Sequence, residues 1–485
     1  MNSIVAKDCL TFKDIEKEIF KYVCQIAVDL TKEFLTVYDK QLMKERDRSK
    51  YRHKGYKTDH IRCIYGDVSY DRVVYQTEEK EGKASFVYLL DEALHMDTVG
   101  KMSLNLMESI ISATTKMSFR NAAEEINQNT QANITFQSAW NVLQKFGDKL
   151  EEEEAALIRD YEKDAVNGQK EVPVLFEEAD GVFLHLQRKN RPKGKSGKEI
   201  KVSTAYEGWN AAGELVGKIM SAGFEDGKNF QKLRESMIKK TYNTEEIKLR
   251  VLNGDGASWV KACEDPDTVF QLDRFHIYQK ILKCIKEKEM QSILRNLYDN
   301  GKPEELLESI QIYADSVAND NPQDKREKKA QELLGYLSEN REYLLSYQDR
   351  DEVQVPESPA GLIYKNLGTQ ENQNCSNITL RMKHKKGSWS IAGANHMAKT
   401  LVRYANKTIW NDIFHYKDVI IESDKERIIY DILSAAKAPK VDGKGNRTGN
   451  IMSGHILYRE AKMTFSRKAF LSIFENRDFT QLIYR

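Results

Sequence analysis

The chain has 485 residues, of which 40% are hydrophobic and 31% charged, and its formal net charge is +1. This composition is typical of a helix-rich globular protein of two to four domains, and its overall charge argues neither for nor against a polyanionic partner. No stretch approaches the roughly 18 apolar residues of a membrane span and the first residues lack a secretory apolar core, which excludes a membrane partner and predicts a cytoplasmic protein. The six cysteines are scattered singly without a C-x-x-C pair, which argues against a zinc knuckle and favours reduced thiols.

The N-terminal region, residues 1–103, begins with a long amphipathic pattern. Apolar residues recur at spacings of three and four, which predicts one helix over residues 12–43. A basic stretch follows at residues 44–57, and the sequence HIRCIYGDVSYDRVVY then alternates about Gly66-Asp67 as a short hairpin would. The basic stretch is either a solvated charged face or a surface that contacts phosphates.

Residues 118–146 predict two helices separated by a polar turn. Ser118 opens the first helix and Thr135 the second, with alanines where the two helices must approach closely. This is the pattern of a helix-turn-helix, whose second helix enters the DNA major groove, although an ordinary helical hairpin also fits. In the helix-turn-helix interpretation, four side chains face bases and phosphates: Gln137, Ser138, Asn141 and Lys145.

The pattern becomes strand-like over residues 166–273. Three extended runs, a helix, a strand, a second helix from about Ser258 and a last strand follow one another. This order predicts a ribonuclease H-like α/β catalytic core within an α+β multidomain protein. The loop between the first two runs is strongly basic, and the residues expected to contact DNA there are Arg188, Lys189, Arg191, Lys193, Lys195 and Lys198.

Two aspartates occupy special places in the predicted core. Asp180 lies within the first strand, in FEEADGVFL, and Asp255 follows the fourth strand between two glycines, in VLNGDGASW. A lone Gly-Asp-Gly is usually a turn, but a ribonuclease H-like sheet brings these two positions side by side. Two such carboxylates can bridge two Mg²⁺ ions about 3.5 to 4 Å apart, and the flanking glycines would let metal and phosphate approach the backbone. The sequence therefore predicts a two-metal phosphodiester site.

A third acid is expected from a later helix. Residues 274–365 are charged and helix-patterned, which predicts an all-helical insertion. Beyond it, Glu371 can share one helical face with Asn374 and Arg381, and this makes Glu371 the predicted third acid. An exposed surface glutamate is the alternative interpretation. Glu357 competes for the role, but two prolines flank it closely and argue against a helix there.

The chain resembles the bacterial DDE transposases of the ISLre-two insertion-sequence family over nearly its whole length. Seven segments in order carry the resemblance: GDVSYDR from Gly66, the helix-turn-helix of residues 118–146, EADGVFL around Asp180, NGDGASW around Asp255, LDRFHIYQK from Leu272, GTQENQN around Glu371, and RMKHKKGSWSIAGANHMAK ending at Lys399.

The resemblance implies a DNA transposase whose acidic triad is Asp180, Asp255 and Glu371, with helices inserted before the last acid. Related transposases carry a C/D-x-x-H pair shortly after the second acid, and Asp273 and His276 match it. A core histidine is the alternative interpretation of His276. The implied cofactor is Mg²⁺, or Mn²⁺, with two ions per active site. The implied partners are double-stranded DNA, both as terminal repeats and as target, and further copies of the chain in a homo-oligomeric synaptic complex. The implied location is the bacterial cytoplasm, in association with the nucleoid.

Two other classes of function remain open. A non-cutting helix-turn-helix regulator on the same fold would be favoured by the loss of an acid, but all three acids are present. A repair or RNA-processing nuclease would share the metal chemistry but can be far shorter. The predicted domains are an N-terminal region (1–103), a helix-turn-helix with linker helix (104–165), the core in two parts (166–273 and 366–430), the insertion (274–365) and a C-terminal tail (431–485).

Overall fold

The computed structural model describes residues 11–80, 83–94, 96, 101–193, 196–262, 266–320, 325–384 and 387–409, with two short pieces at 440–441 and 447–448. The chain divides into two compact units. One is made of Met1–Ala113, Phe119–Ala139 and Tyr416–Arg485, and the other of Thr114–Ser118 and Trp140–His415. The predicted mixture of helix and sheet is confirmed. Among the described residues there is no helix whose length and apolar content would let it cross a bilayer.

The first unit contains a long helix and a three-stranded antiparallel sheet. Its elements in chain order are α1 (Phe12–Glu45), β1 (Arg52–Cys63), β2 (Gly66–Lys80), β3 (Lys83–Val87), α2 (Leu89–Ala93), most of α3 (Leu104–Lys116), α4 (Phe119–Asn129) and the start of α5 (Phe136–Glu162). Helix α1 begins with a capping box, because the Thr11 hydroxyl accepts from the backbone N–H of Asp14 while the Asp14 carboxylate accepts from that of Thr11.

The predicted hairpin is present, but its turn lies two residues earlier than expected and its strands are long. Cys63 pairs with Gly66, so the turn is Ile64-Tyr65, and Gly66 closes it with a φ of +131°. A residue with a side chain rarely adopts that φ, which is why glycine stands at the start of β2. The arginine of the GDVSYDR segment, Arg72, is buried and forms an ion pair with Asp59 of the neighbouring strand. This segment therefore holds the hairpin together.

Helix α5 is longer than predicted. The second helix of the predicted helix-turn-helix and the acidic helix expected after it form one helix of 27 residues. Its start agrees with the sequence, because the Thr135 hydroxyl accepts from the backbone N–H of Ser138 at 3.1 Å.

The second unit is built on a five-stranded sheet with the spatial order β10-β9-β4-β5-β8. Strand β5 is antiparallel to both β4 and β8, whereas β9 and β10 run parallel to β4. The elements of this part of the chain are β4 (Val174–His185), β5 (Gly197–Tyr206), β6 (Gly208–Trp209), β7 (Leu215–Val216), β8 (Ile219–Gly223), α6 (Gly227–Thr241), β9 (Leu249–Gly254), α7 (Ser258–Lys261) and β10 (Val269–Leu272).

The predicted order of strands and helices over residues 166–273 is found, with two differences. The run EIKVSTAYEGW is divided after Tyr206, so that Gly208 and Trp209 form the separate strand β6. The run ELVGKIMSAGF is divided at Gly217, where φ is +65°, so that β7 pairs with β6 in a separate ribbon and only β8 joins the large sheet. A positive φ breaks the extended conformation, and the chain changes sheets at this point.

Four helices follow β10 and pack on the sheet. They are α8 (Arg274–Cys284), α9 (Lys288–Asp299), α10 (Pro303–Asp320) and α11 (Lys325–Glu339). Their apolar residues, such as Ile281, Leu306 and Leu333, belong to one core cluster with Leu252 of β9 and Leu272 of β10. The helices and the sheet therefore share one continuous hydrophobic core.

The chain then returns to the sheet through a short, irregular helical segment. It consists of α12 (Gln370–Asn374), a π-helical turn (Cys375–Thr379) and α13 (Leu380–Met382), and α14 (Ile391–Ala405) follows. The remaining strands, β11 (Lys440–Val441) and β12 (Arg447–Thr448), pair with each other.

Strand β4 carries acids on both faces, as the alternation of side chains along a strand requires. On one face, Glu177 accepts hydrogen bonds from Arg250 at 2.9 and 2.6 Å, and Arg234 lies 3.5 Å away. All three side chains are buried, so their charges compensate one another away from water. Glu178 and Asp180 belong to the other face, which faces the helical segment that begins with α12.

Candidate active site

The candidate site lies beside three neighbouring parallel strands, where β9 and β10 end and β4 continues past the site to His185. Ala179 of β4 is paired with Gly254 of β9, and Gly254 with Leu272 of β10. In all three strands the next residue is an aspartate, namely Asp180, Asp255 and Asp273. Adjacent strands in a sheet are about 4.8 Å apart, so this register brings the three aspartates into one row.

Asp180 is the most firmly held of the three. Its Oδ2 accepts a hydrogen bond of 2.9 Å from the side-chain amide of Asn374, and its Oδ1 accepts one of 2.7 Å from the backbone N–H of Gly181. Nε2 of His276 lies 3.4 Å from the same Oδ1. Asp180 is buried, so these contacts fix the orientation of its carboxylate.

His276 connects Asp180 with Asp273, because its Nε2 also lies 3.8 Å from Asp273 Oδ2. Burial lowers the pKa of His276, but the hydrogen bond and negative charge of Asp180, together with the charges of Asp273 and Asp255, outweigh burial and raise this pKa to about 9. At neutral pH the imidazole is therefore protonated in the metal-free protein. His276 faces the carboxylates and is not enclosed in an apolar core.

Asp273 contributes to this arrangement through two hydrogen bonds to its Oδ1. It caps helix α8, since its Oδ1 accepts from the backbone N–H of Phe275 at 3.4 Å, and the same oxygen accepts from the Asn253 side chain at 3.2 Å. Burial raises the pKa of Asp273, although the Asn253 hydrogen bond opposes that rise. Asp273 thus positions both the helix and the histidine three residues after it.

Asp255 is both a turn residue and a member of the site. Its Oδ1 accepts from the backbone N–H of Ala257 at 2.9 Å, as in an Asx turn. It also lines a cavity of about 560 Å³ together with His276. Local structure requires glycine on both sides of Asp255. A Cβ on Gly254 would lie 2.4 Å from Val260, and Gly256 has a φ of +88°. These requirements are separate from the predicted approach of metal and phosphate.

Glu178 was not among the site residues predicted from the sequence. It is fully buried and lies two residues before Asp180, on the same face of β4. Its carboxylate accepts from three successive backbone N–H groups at the start of α12, those of Gly368, Thr369 and Gln370, at 2.8 to 3.1 Å. It also accepts from the hydroxyls of Thr369 and Tyr206 and from the side-chain amide of Asn253, at 2.6 to 3.1 Å. Charge-assisted hydrogen bonds to a helix N-terminus are strong, so Glu178 fixes α12 to the sheet.

Glu371 lies in the first turn of the helix that Glu178 anchors. Burial raises the pKa of its carboxyl and the negative charge of Asp180 raises it further, whereas His276 and Lys383 oppose the rise. Glu371 is exposed, as in the alternative interpretation of a surface glutamate, and the charges of Asp180 and His276 both act on its carboxyl. The alternation in FEEAD, which gives Glu178 and Asp180 one face of β4, was the available signal that Glu178 lies near the site.

Arg381 does not join these residues. Its Nε donates to the backbone carbonyl of Thr114 at 2.6 Å, and its guanidinium lies over the ring of Trp389. The π-helical turn at residues 375–379 shifts the helical periodicity, so the face expected to hold Glu371, Asn374 and Arg381 ends at Asn374. Glu357, the competing acid, is exposed in a loop.

The residues predicted to contact DNA lie at the surface. Gln137, Asn141 and Lys145 are exposed at successive turns of α5, and Ser138 is half-buried. In the loop between β4 and β5 the exposed basic residues are Arg188, Lys189, Arg191 and Lys193. Lys198 is half-buried over the ring of Phe224, and Lys195 lies outside the described residues.

The donors at this site suit a hard divalent cation, because Asp180, Asp255 and Glu371 offer carboxylate oxygens of the kind that Mg²⁺ and Mn²⁺ prefer. Within the described part of the chain, no three acidic, histidine or cysteine side chains already have the spacing of a metal site.

The fold and this row of acids define an α+β protein with an acidic centre beside three parallel strands. The sequence model of the family described as Uncharacterised protein family (UPF0236) matches residues 5–417, and the chain belongs to that family. It is 24% identical over 425 residues to the UPF0236 protein in the vanSb 3' region of Streptococcus gallolyticus, covering 83% of this chain and 85% of that protein. It is also 24% identical over 361 residues to a UPF0236 protein of Caldanaerobacter subterraneus subsp. tengcongensis, covering 70% of this chain and 67% of that protein.

Among solved structures, the Drosophila P element transposase strand transfer complex is similar with a TM-score of 0.19 and 7% identity. The similarity covers 75% of this chain and 95% of that chain. A TM-score of this size supports no conclusion about fold or function.

Proposed function

We propose that this protein is a DDE transposase of a bacterial insertion sequence, similar to the ISLre-two family, and that its five-stranded sheet is a ribonuclease H-like core. The strand order supports the second part of the proposal. Three antiparallel strands, β8, β5 and β4, are followed by two strands parallel to β4, and the all-helical insertion comes before the last acid.

One observation carries the proposal more than any other. Asp180 and Asp255 follow directly after the paired residues Ala179 and Gly254, and Glu371 belongs to a helix fixed to the same strand by Glu178. The sheet thus brings Asp180 and Asp255 to neighbouring positions, and the charge of Asp180 contributes to the raised pKa of the exposed Glu371. A lone turn aspartate would not require such a register.

In the proposed reaction, Asp180, Asp255 and Glu371 would hold two Mg²⁺ or Mn²⁺ ions. The bound ions would supply Lewis-acid activation of the attacking hydroxyl and charge stabilisation of the leaving oxygen. Asn374 orients the Asp180 carboxylate through Oδ2, while Oδ1 accepts from the backbone N–H of Gly181 and lies 3.4 Å from His276. His276 carries a positive charge beside Asp180 in the metal-free protein, which offsets the repulsion between the neighbouring carboxylates.

DNA would be bound by surfaces outside the acidic centre. The exposed residues of α5, Gln137, Asn141 and Lys145, are suited to read a major groove, and the basic loop between β4 and β5 is suited to bind phosphates. The proposed partners are the terminal repeats of the element, target DNA and further copies of the chain in a synaptic complex.

The test is end cleavage by the purified full-length protein. The substrate is a duplex containing the DNA that flanks the gene, and strand cleavage and strand transfer are followed on sequencing gels with Mg²⁺, with Mn²⁺ and with a chelator. We expect site-specific cleavage that requires the metal and is lost in Asp255→Asn. Specific binding without any cleavage would favour the non-cutting regulator, and cleavage without end specificity would favour a repair or RNA-processing nuclease.

A further inference from the structure

One face of helix α8 extends from the candidate active site along the wall of its cavity. His276, Gln279, Lys280 and Lys283 recur at spacings of three and four, so their side chains share one side of the helix. All four line the cavity of about 560 Å³ that also contains Asp255. We call this row of four residues the α8 face.

The α8 face is positively charged and begins at the acids. His276 begins the face, with its Nε2 3.4 Å from Oδ1 of Asp180. Lys280 is held by Glu332, whose Oε1 lies 2.7 Å from its Nζ, while Lys283 is exposed and forms no ion pair with the residues that the structure describes. Of the four residues, Lys283 therefore offers the ammonium group that is most available to a phosphate.

The cavity wall also contains groups that suit the other parts of a nucleotide. Gln279 offers a neutral amide donor, and the exposed side chain of Leu282 offers an apolar contact for a sugar or a base edge. Tyr336 also lines the cavity, and its hydroxyl donates to the backbone carbonyl of Asp255 at 3.0 Å. This hydrogen bond keeps the wall of the cavity attached to the turn that carries Asp255.

We propose that the α8 face binds the sugar-phosphate backbone of the DNA strand whose end is cut at the acidic centre. This inference rests on the proposed function, because it names the part of the substrate that the cavity holds. From His276 to Lys283 the helix rises by about 10 Å, since each residue adds about 1.5 Å. That length corresponds to roughly three nucleotides at about 3.4 Å per nucleotide of one strand. The face is therefore long enough for two or three consecutive phosphates.

The α8 face is better suited to a strand than to a free nucleotide. A free nucleotide has its negative charge concentrated in one place, whereas the α8 face distributes its donors over two helical turns. A strand in this position would extend from Lys283 to Asp255 and His276, where its scissile phosphate would lie. Lys283 is exposed, so its replacement should disturb the fold little.

The experiment measures binding of labelled end DNA to the full-length protein by fluorescence anisotropy, with a chelator present so that no cleavage occurs. Lys283→Gln is compared with Lys288→Gln, which removes the same charge from an exposed position on the neighbouring helix α9, outside the cavity. We expect Lys283→Gln to weaken binding about 3- to 10-fold and to reduce the salt dependence by about one phosphate contact, with no change in Lys288→Gln. Equal effects of the two variants, or no effect of either, would overturn the inference.

Two further measurements separate this inference from the proposed function. Asp255→Asn lacks a proposed metal ligand but retains the α8 face, so it should bind the strand like the wild type. If Asp255→Asn still cleaves while Lys283→Gln loses binding, the proposed two-metal function fails and the strand-binding face stands. If Asp255→Asn is inactive while Lys283→Gln binds normally, only the inference about α8 fails. Addition of free deoxynucleotide at the same phosphate concentration should not displace the strand; if it does, the face binds isolated phosphates.

Discussion

The side-chain amide of Asn374 donates a hydrogen bond of 2.9 Å to Oδ2 of Asp180, although 194 residues separate them in sequence. Asn374 is buried and its own carbonyl accepts from Gln370, so the amide has one available orientation. The carboxylate of Asp180 is consequently aimed by a residue from the far side of the helical insertion. This makes Asn374 a positioning residue for the acid.

Asn374→Ala should lower the rate constant of end cleavage about 10- to 100-fold and leave DNA affinity unchanged, because residues that orient a metal ligand typically contribute that much. The rate should also require a higher Mg²⁺ concentration for half-maximal activity. Single-turnover cleavage at several Mg²⁺ concentrations measures both quantities. Asn372→Ala, on the exposed side of the same helix, is the matched control. An unchanged metal dependence in Asn374→Ala would contradict the positioning role.

Glu178→Gln should destabilise the fold by about 2 to 4 kcal/mol, since it replaces a buried carboxylate by an amide whose NH₂ group faces backbone donors. The start of α12 would lose the acceptor for three backbone N–H groups. Urea unfolding followed by circular dichroism gives the change in the free energy of unfolding. Glu214→Gln, an exposed glutamate in the same unit, provides the comparison. Equal stability of the two variants would show that Glu178 does not anchor the helix.

Asp255→Asn and Asp180→Asn should each reduce cleavage by several orders of magnitude while folding and DNA binding persist. The amide retains the size of the side chain but removes the charge that would bind the metal. The double variant should be little worse than either single one, because residues of one metal site are not additive. Gel assays of cleavage, with Asp164→Asn as an exposed control, test this. If Asp255 were only a turn residue, the change would cost about 1 kcal/mol of stability and leave cleavage nearly intact.

His276 should make the stability of the metal-free protein fall as the pH rises. Its folded-state pKa of about 9 lies above the ordinary value of 6.5, so its stabilising contribution is fully present below pH 6.5 and is lost as the pH passes through 9. The free energy of unfolding is measured in chelator between pH 6 and pH 10, roughly the range set by these two values. His276→Gln should remove this part of the decline. Parallel curves for the wild type and the variant would show that the ion pair with Asp180 does not contribute.

Asn141→Ala should reduce the preference of the full-length protein for end DNA over random DNA, whereas Lys145→Ala should weaken binding to both alike. An amide can read a base edge, but an ammonium group binds phosphates regardless of sequence. Competition binding with the two DNAs gives both affinities. If Asn141→Ala leaves the ratio of affinities unchanged, α5 does not read the sequence.

The core of the second unit was predictable because its signals are local. Strand-like runs marked β4 and β9, and the glycines beside Asp255 marked the end of a strand. The role of Glu178 depends on donors about 190 residues away, which no local pattern contains. The place of Arg381 depends on a π-helical turn, and an ordinary helical spacing assigned it to the wrong face. The turn at Ile64-Tyr65 was placed two residues late because Gly66-Asp67 resembles a turn sequence more closely.

The distance in sequence between Glu178 and its donors also affects when the site can form in the cell. At roughly 5 to 20 residues per second, a ribosome needs about 10 to 40 s to synthesise the 190 residues between them. During that interval the nascent chain contains Asp180 and, later, Asp255, but neither Glu371 nor Asn374. A buried carboxylate also lacks its donors until Gly368 to Gln370 emerge from the ribosome. Under the proposed function, nascent and prematurely terminated chains would therefore be unable to cut DNA.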